Sequence, residues 1–490
     1  MPEALLAQPR VHPGSTSAKA MRQPIRCKDS NRLNLKARNE ATPSLRIIPR
    51  EQHVISRKNI SKAALRVLYR LHEAGYDAFL VGGAVRDLLL GGHPKDFDVA
   101  TNATPEDVKK LFRNCRLIGR RFRLAHVVYG PEIIEVATFR GTGEDDGSEG
   151  GGDRHIVDGR IVRDNVWGSI EEDALRRDFR VNALYYDISD FSVRDYVGGM
   201  QDVENRVLHL IGDPVTRYRE DPVRMLRAVR LAAKLNFRID AAAFAPFEEL
   251  GPLLLDASPA RLFDESLKLF LSGHGLKSFR MLEQSGLLKF MFPATARSLK
   301  RGDEALRQLI EEGLGSTDAR VAEGKSVTPA FLFAVLLWGE VRDLAHAWIV
   351  KGVESGQAWG RAVAHVVSEQ CQRVAIPRRF TITMEEIWAL QPRFEQVQRK
   401  RVFRLMAHPR FRAAFDFLLL RATESPAVRE LGQWWLHAQQ LPHETLAAAL
   451  SGSGGDIPSA GGPDPAPASK PRKRRRRKPG GKSGGKSGAA

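Results

Sequence analysis

GGAVRDLLLGGHPKDFDV, residues 82–99, decides how the rest of the chain is read. A glycine pair, Gly82 and Gly83, leads into a short helix. Two aspartates, Asp96 and Asp98, stand one residue apart in a run that reads as a strand. Side chains two apart along a strand share a face, so both carboxylates project into one small volume. Carboxylates so placed repel each other and favour a cation between them. Oxygen-only ligation suits Mg²⁺, which keeps waters and also takes phosphate oxygens. Glycine allows close backbone approach, and the free N–H groups at a helix start favour an anion. A phosphate-friendly turn beside a metal-binding acid pair points to chemistry on a nucleoside triphosphate. No GK[ST] follows the glycines and no GxGxxG is present, so neither a P-loop nor a dinucleotide fingerprint explains them. Arg86, on the following helix, either meets a phosphate or braces the sheet.

Three further groups extend this reading. Glu135 lies in the strand Ile133–Phe139, flanked by Ile133, Ile134, Val136 and Ala137. A carboxylate among apolar residues is expensive without a compensating cation, so Glu135 is the candidate third acid of a two-metal site. One metal would activate a hydroxyl and the other would steady leaving pyrophosphate. ALRRDFRVNALYY carries Arg176, Arg177, Asp178 and Asn182. The arginines suit a triphosphate. Asp178 suits an arginine or the metal site, and Asn182 a ribose hydroxyl. YREDPVRMLRAVR carries Glu220, Asp221, Arg224 and Arg227. Asp221 and Arg224 stand at i, i+3, which by itself reads as a salt bridge within one helix. As a base reader, the aspartate accepts from an exocyclic amine and the arginine donates to the adjacent ring nitrogen. Adenine and cytosine offer that pattern; guanine and uracil reverse it.

Composition sets the frame. At 490 residues the chain has room for two or three domains and a substantial core. No apolar run is long enough to span a bilayer, and Cys27, Cys115 and Cys371 show neither metal spacing nor a disulfide framework. These features fit a cytoplasmic protein. The net charge of +18 is uneven. Residues 470–490 carry ten Lys/Arg and no acid, residues 1–50 carry ten Lys/Arg against three acids, and the stretch between is nearly neutral. Basic runs bind polyphosphate backbones by releasing counterions, so the tails favour nucleic acid.

The pattern along the chain predicts a disordered basic segment at 1–52 and a mixed helix–strand region at 53–201. Helical regions follow at 202–271 and 272–448, then a disordered Gly/Pro/Ser and Arg/Lys-rich tail at 449–490. Within the mixed region, strands are expected at Ala78–Val81, Cys115–Ile118, Ala125–Tyr129 and Ile133–Phe139. A helix begins at Thr104–Pro105, as N-cap and N1, and a glycine-rich acidic loop spans Gly141–Asp153.

In order, GGAVRD, KDFDVATNATPEDV, EVATFR, RRDFRVNALYY and EDPVRMLRAVR resemble the tRNA nucleotidyltransferase and bacterial poly(A) polymerase superfamily, closely over roughly residues 53–300. The resemblance implies an α+β chain. Its head would be an N-terminal polymerase-β-like nucleotidyltransferase domain with a mixed sheet, followed by an all-α neck, body and tail. It implies two Mg²⁺ ions, with the family's metal-binding aspartates matching Asp96 and Asp98 and its strand carboxylate matching Glu135. The acid of its RRDF motif, treated as part of the active site, matches Asp178. The base-reading pair matches Asp221 and Arg224. Two stretches, CRLIGRRFRLAHV at 115–127 and IPRRFTITMEEIWALQPRF at 376–394, are similar to the poly(A) polymerase branch. That branch adds AMP from ATP to RNA 3′ ends and implies mRNA substrates and a link to RNA-degradation machinery. A CCA-adding enzyme, with the same chemistry and a different product, is the alternative.

Overall fold

The computed structural model describes residues 45–119, 123–141, 154–157, 160–164 and 166–451. In chain order its first elements are β1 (Arg46–Ile48), α1 (Lys62–Glu73), β2 (Ala78–Val81), α2 (Gly83–Leu89), β3 (Asp98–Thr101) and α3 (Pro105–Leu111). Next come β4 (Cys115–Ile118), β5 (Leu124–Tyr129), β6 (Glu132–Thr138), and the hairpin β7 (Arg154–Val157) and β8 (Arg160–Asp164). Then follow α4 (Ile170–Arg176), β9 (Leu184–Asp187), β10 (Val193–Asp195), α5 (Gly199–Asn205), α6 (Pro214–Glu220) and α7 (Val223–Leu235). Eight strands form one mixed sheet in the order β1-β10-β9-β2-β3-β6-β5-β4. Every neighbouring pair is antiparallel except β3 and β6.

Local chemistry explains most of these boundaries. The Thr104 hydroxyl accepts from the Asp107 N–H at 3.2 Å, and Pro105 occupies the first turn of α3. Ser169 and Glu172 form a reciprocal capping box at the start of α4. Strand alternation then divides the sheet's two faces. Leu80, Val99, Ile134 and Val136 pack into the main core with Val67, Leu68 and Leu71 of α1. Phe79, Val81, Ala100, Phe139 and Tyr185 point to the opposite face and form a smaller core with Ala174.

Beyond α5 the described chain is almost entirely helical. Long helices cover Pro329–Val350, Ser355–Arg373 and Arg378–Phe394, with Trp338 and Trp388 fully buried, as is Trp435 of the later helix Pro426–Gln440. The head core runs without a break into these helices, while Leu390, Phe394, Phe415 and Trp435 form a third core. No helix among the described residues is long and apolar enough to cross a membrane.

The structure corrects several boundaries. Order begins before residue 53: Arg46–Ile48 pairs with β10, from Arg46 opposite Asp195 to Ile48 opposite Val193. Residues 1–44 lie outside the described residues, as does the loop expected at Gly141–Asp153 beyond Gly141 and the tail beyond Ser451. The last helix runs to Ala449. The neck is not purely helical, because Val207–Leu208 pairs in parallel with Arg238–Ile239.

Leu80 lies fully buried in the central strand β2. Leu80→Ala is expected to cost about 2–5 kcal/mol through lost burial and the cavity left behind, read as a lower urea midpoint.

Candidate active site

The acids come together through strand register. In the parallel pair β3–β6, Asp98 stands directly opposite Glu135. Paired residues share a face, so both carboxylates rise from the sheet side that carries Ala100 and Tyr185. Asp96 does not lie in the strand. Pairing with both neighbours starts at Asp98, where Val81 and Glu135 flank it, so Asp96 belongs to the preceding loop. Glu135 also departs from expectation. Its neighbours Ile134 and Val136 turn to the main core, while its own side chain stays 49% exposed. The charge is therefore not paid for by burial among apolar groups.

Asp98 reaches solvent at the start of β3, while protein surrounds its other sides. Burial, then the charges of Glu135 and Asp96, push its carboxyl up to about 6 against the opposing pull of Arg177. Three repelling carboxylates with oxygen-only donors suit a hard cation. Among the described residues no three His, Cys, Asp or Glu side chains already converge as a ligand group. An open shelf of acids still fits Mg²⁺, which completes its shell with water and phosphate.

The glycine turn borders the same space. Gly82 has φ +75°, in the left-handed region that favours glycine. A Cβ there would lie 3.7 Å from Arg177 Nη1 and 3.9 Å from Asp98 Oδ2. Arg177 is thus the cation beside the acids. Asp173 Oδ2 accepts from its Nη2 at 2.9 Å, Tyr185 Oη accepts from its Nε at 3.0 Å, and the guanidinium lies 5.2 Å from the Tyr185 ring centre. Tyr185 Oη donates in turn to Asp173 Oδ2 at 2.7 Å. The sequence reading missed Asp173, although its i, i+4 spacing to Arg177 in α4 carried the signal.

The other arginines and Asn182 each have partners within the protein. Arg86 has only 4% of its side chain exposed. It donates to Asp87 Oδ1 and to Asn182 Oδ1. Asn182 Nδ2 donates to Asp178 Oδ1 at 3.2 Å, which engages both ends of the amide within the protein. Arg176 donates to the Gly141 carbonyl at 2.7 Å. Asp178 is paired with Arg227 and accepts from the Phe179 N–H at 2.8 Å. Burial alone would raise the Asp178 carboxyl, but Arg227 and Asn182 outweigh it and hold the group below its ordinary value. The Asp178 carboxylate and the Arg227 guanidinium therefore hold each other in place.

The expected base readers are not paired with each other. Asp221 follows α6 in an extended conformation and accepts both arms of the Arg261 guanidinium, at 3.1 and 2.9 Å. Arg224 Nη1 donates to Glu220 at 2.9 Å and to the Arg217 carbonyl at 2.7 Å. The i, i+3 salt bridge within one helix is thus absent, because Asp221 stands at the break between α6 and α7. Arg217 spans the joint, donating at 2.6 Å to the carbonyls of both Arg176 and Arg177. His126, opposite Glu135 on β5, is a further site neighbour. Its Nε2 lies 3.3 Å from Glu135 but off a hydrogen-bond line.

A sheet presenting Asp98 and Glu135 in register, with an arginine and a glycine turn beside them, defines a nucleotidyltransferase head. Family models described as the Poly A polymerase head domain, the probable RNA and SrmB-binding site of polymerase A, and the polymerase A arginine-rich C-terminus match residues 78–209, 236–299 and 351–479. Poly(A) polymerase I of Salmonella typhi is 53% identical over 403 residues, 81% of this chain and 87% of that protein. Poly(A) polymerase I of Escherichia coli O157:H7 is 52% identical over 81% of this chain and 86% of its own. A solved structure named tRNA-processing enzyme (apo form I) shares the fold, with a TM-score of 0.54 at 21% identity over 81% of this chain and 99% of its own. The chain belongs to the poly(A) polymerase family of nucleotidyltransferases.

The raised carboxyl of Asp98 carries a stability consequence. Its folded value of about 6 lies above the ordinary 3.8, so its ionised form opposes folding at neutral pH. That opposition fades as pH falls from about 6 toward 3.8. Asp98→Asn, without divalent cations at pH 7.5, is expected to melt at or above the native midpoint. A midpoint several degrees lower contradicts the repulsion described here.

Proposed function

We propose that the protein adds AMP from ATP to RNA 3′ ends without a template and releases pyrophosphate. One observation carries this reading: Asp98 and Glu135 face each other across β3 and β6, beside Gly82 and Arg177. The 3′-oxygen attacks the α-phosphorus, and the bond to the bridging oxygen of pyrophosphate breaks. Asp96, Asp98 and Glu135 would hold two Mg²⁺ ions, which supply charge neutralisation and activate the hydroxyl. Arg177, clamped by Asp173 and Tyr185, faces the negative charge of the phosphates. Gly82 and Gly83 let the backbone approach them. Asp221 and Arg224 select a base with an amine next to a ring acceptor, which admits adenine and cytosine. Likeness to the poly(A) polymerase I proteins across most of the chain favours ATP over CTP.

The RNA would lie along the helical region, with the basic tails adding affinity that falls with salt. Cellular RNA in the cytoplasm, mRNA included, is the proposed substrate, and RNA-degradation machinery the proposed partner.

With ATP alone and a generic RNA primer, the protein is expected to build long A-tails. CTP-dependent addition that stops after a few residues on tRNA lacking CCA is the result expected of a CCA-adding enzyme instead. Asp98→Ala is expected to lose AMP addition, by at least about a thousandfold, while RNA binding in a filter assay persists. Chelating Mg²⁺ is expected to stop the native protein equally.

A further inference from the structure

We infer that the open face of β4, β5 and β6, beside the acid shelf, seats the single-stranded 3′-terminal stretch of the RNA, with Arg116 holding a backbone phosphate. The inference rests on the proposed nucleotidyl transfer and names where the acceptor strand approaches it.

One cross-strand row runs through the sheet. Tyr185 of β9 pairs with Val81 of β2, Val81 with Asp98 of β3, and Asp98 with Glu135 of β6. Glu135 pairs with His126 of β5, and His126 with Arg116 of β4. Paired residues share a face, so the whole row crosses one side of the sheet. Gly82 and Arg177, the groups suited to the triphosphate, stand toward the Tyr185 end of the row. An in-line displacement needs the attacking oxygen opposite the leaving pyrophosphate. The 3′-hydroxyl therefore arrives from the Glu135 side, over β5 and β4.

That side of the sheet is free to take a strand. Around β2 and β9 the face is covered by α4, where Ala174 packs with Val81 and Tyr185. Over β4–β6 it is open: Ile118 and Ile133 remain 42% and 48% exposed, and Arg116 is exposed as well. Cys115, Ala125, Val127 and Ile134 of the same strands turn to the main core on the other side. Arg116 stands two strands from Glu135, about 10 Å across the sheet, and has no ion-pair or hydrogen-bond partner among the described residues. His126 lies between them with 18% of its side chain exposed and fills the floor of the track. A strand whose terminal hydroxyl sits over the acids thus brings an upstream phosphate to the unpartnered guanidinium. Ile118 and Ile133 flank the row and offer apolar contact to sugars and base faces. Phosphate and apolar contacts of this kind hold RNA without reading its sequence, which suits an acceptor that changes with every addition.

The test uses the full chain with Mg²⁺, ATP and an unstructured RNA primer. Arg116→Ala is expected to raise the KM for primer at least about fivefold while the KM for ATP stays native. In filter binding, its slope of log affinity against log salt is expected to be shallower by about 0.7, the share of one phosphate on a single strand. Arg116→Lys is expected to keep the native slope. Ile133→Asp, which puts a negative charge on the open face, is expected to raise the primer KM in the same way, and it carries the test if Arg116→Ala does not fold. A primer with 4-thiouridine one nucleotide from its 3′ end is expected to crosslink to β4–β6. Native primer KM and salt slope in Arg116→Ala, an equal rise in both KM values, or crosslinks confined to the helical region overturns the inference. A native protein that adds no nucleotide to RNA overturns the reading beneath it, and the inference with it.

Discussion

The parallel pairing of β3 with β6 is the constraint on which the site depends. It is the one parallel contact in an otherwise antiparallel sheet, and it sets Asp98 opposite Glu135. Parallel neighbours need a crossover, and α3 with β4 and β5 supplies it. The arrangement is unfavourable in itself, because like charges face each other. It persists because Val99, Ile134 and Val136 are buried on the opposite face of the same strands. Any slip of register by one residue would bring the acids into the core and these side chains into water. Hydrophobic packing on one face thus holds electrostatic repulsion on the other.

Around that shelf, nearly every polar side chain is held by another. Arg177 is gripped by Asp173 and Tyr185, Arg86 by Asp87 and Asn182, and Asp178 by Arg227. Fixed dipoles and charges need little reorganisation when a charged substrate arrives. Lys234 of α7 also reaches Asp87 of α2 at 3.0 Å, so the helix behind the glycine turn and the helix bearing Arg224 are tied at a second point.

What was legible in the sequence was local. Thr104–Pro105 announced α3, and the apolar runs at Ala78–Val81 and Cys115–Ile118 gave strands with the same bounds. Partners far apart in sequence were not legible. Arg261 reaches Asp221 across 40 residues, and no spacing rule connects them. The exposure of Glu135 was not legible, because apolar residues flank it on both sides and only the sheet shows that Ile134 and Val136 turn away from it. Asp96 fell outside the strand because backbone pairing, not side-chain alternation, sets where a strand starts. β1 was hidden in an arginine-rich segment without periodicity, and its three residues become a strand only through β10.

The joint between the sheet domain and the helices has a further property. Arg217 grips the main-chain oxygens of Arg176 and Arg177, not their side chains. A backbone carbonyl is present whatever residue occupies the position. The joint between the two regions therefore keeps its geometry independently of what the side chains at those two sites do. Mechanical attachment is written into the peptide groups, and chemical function into the side chains they carry.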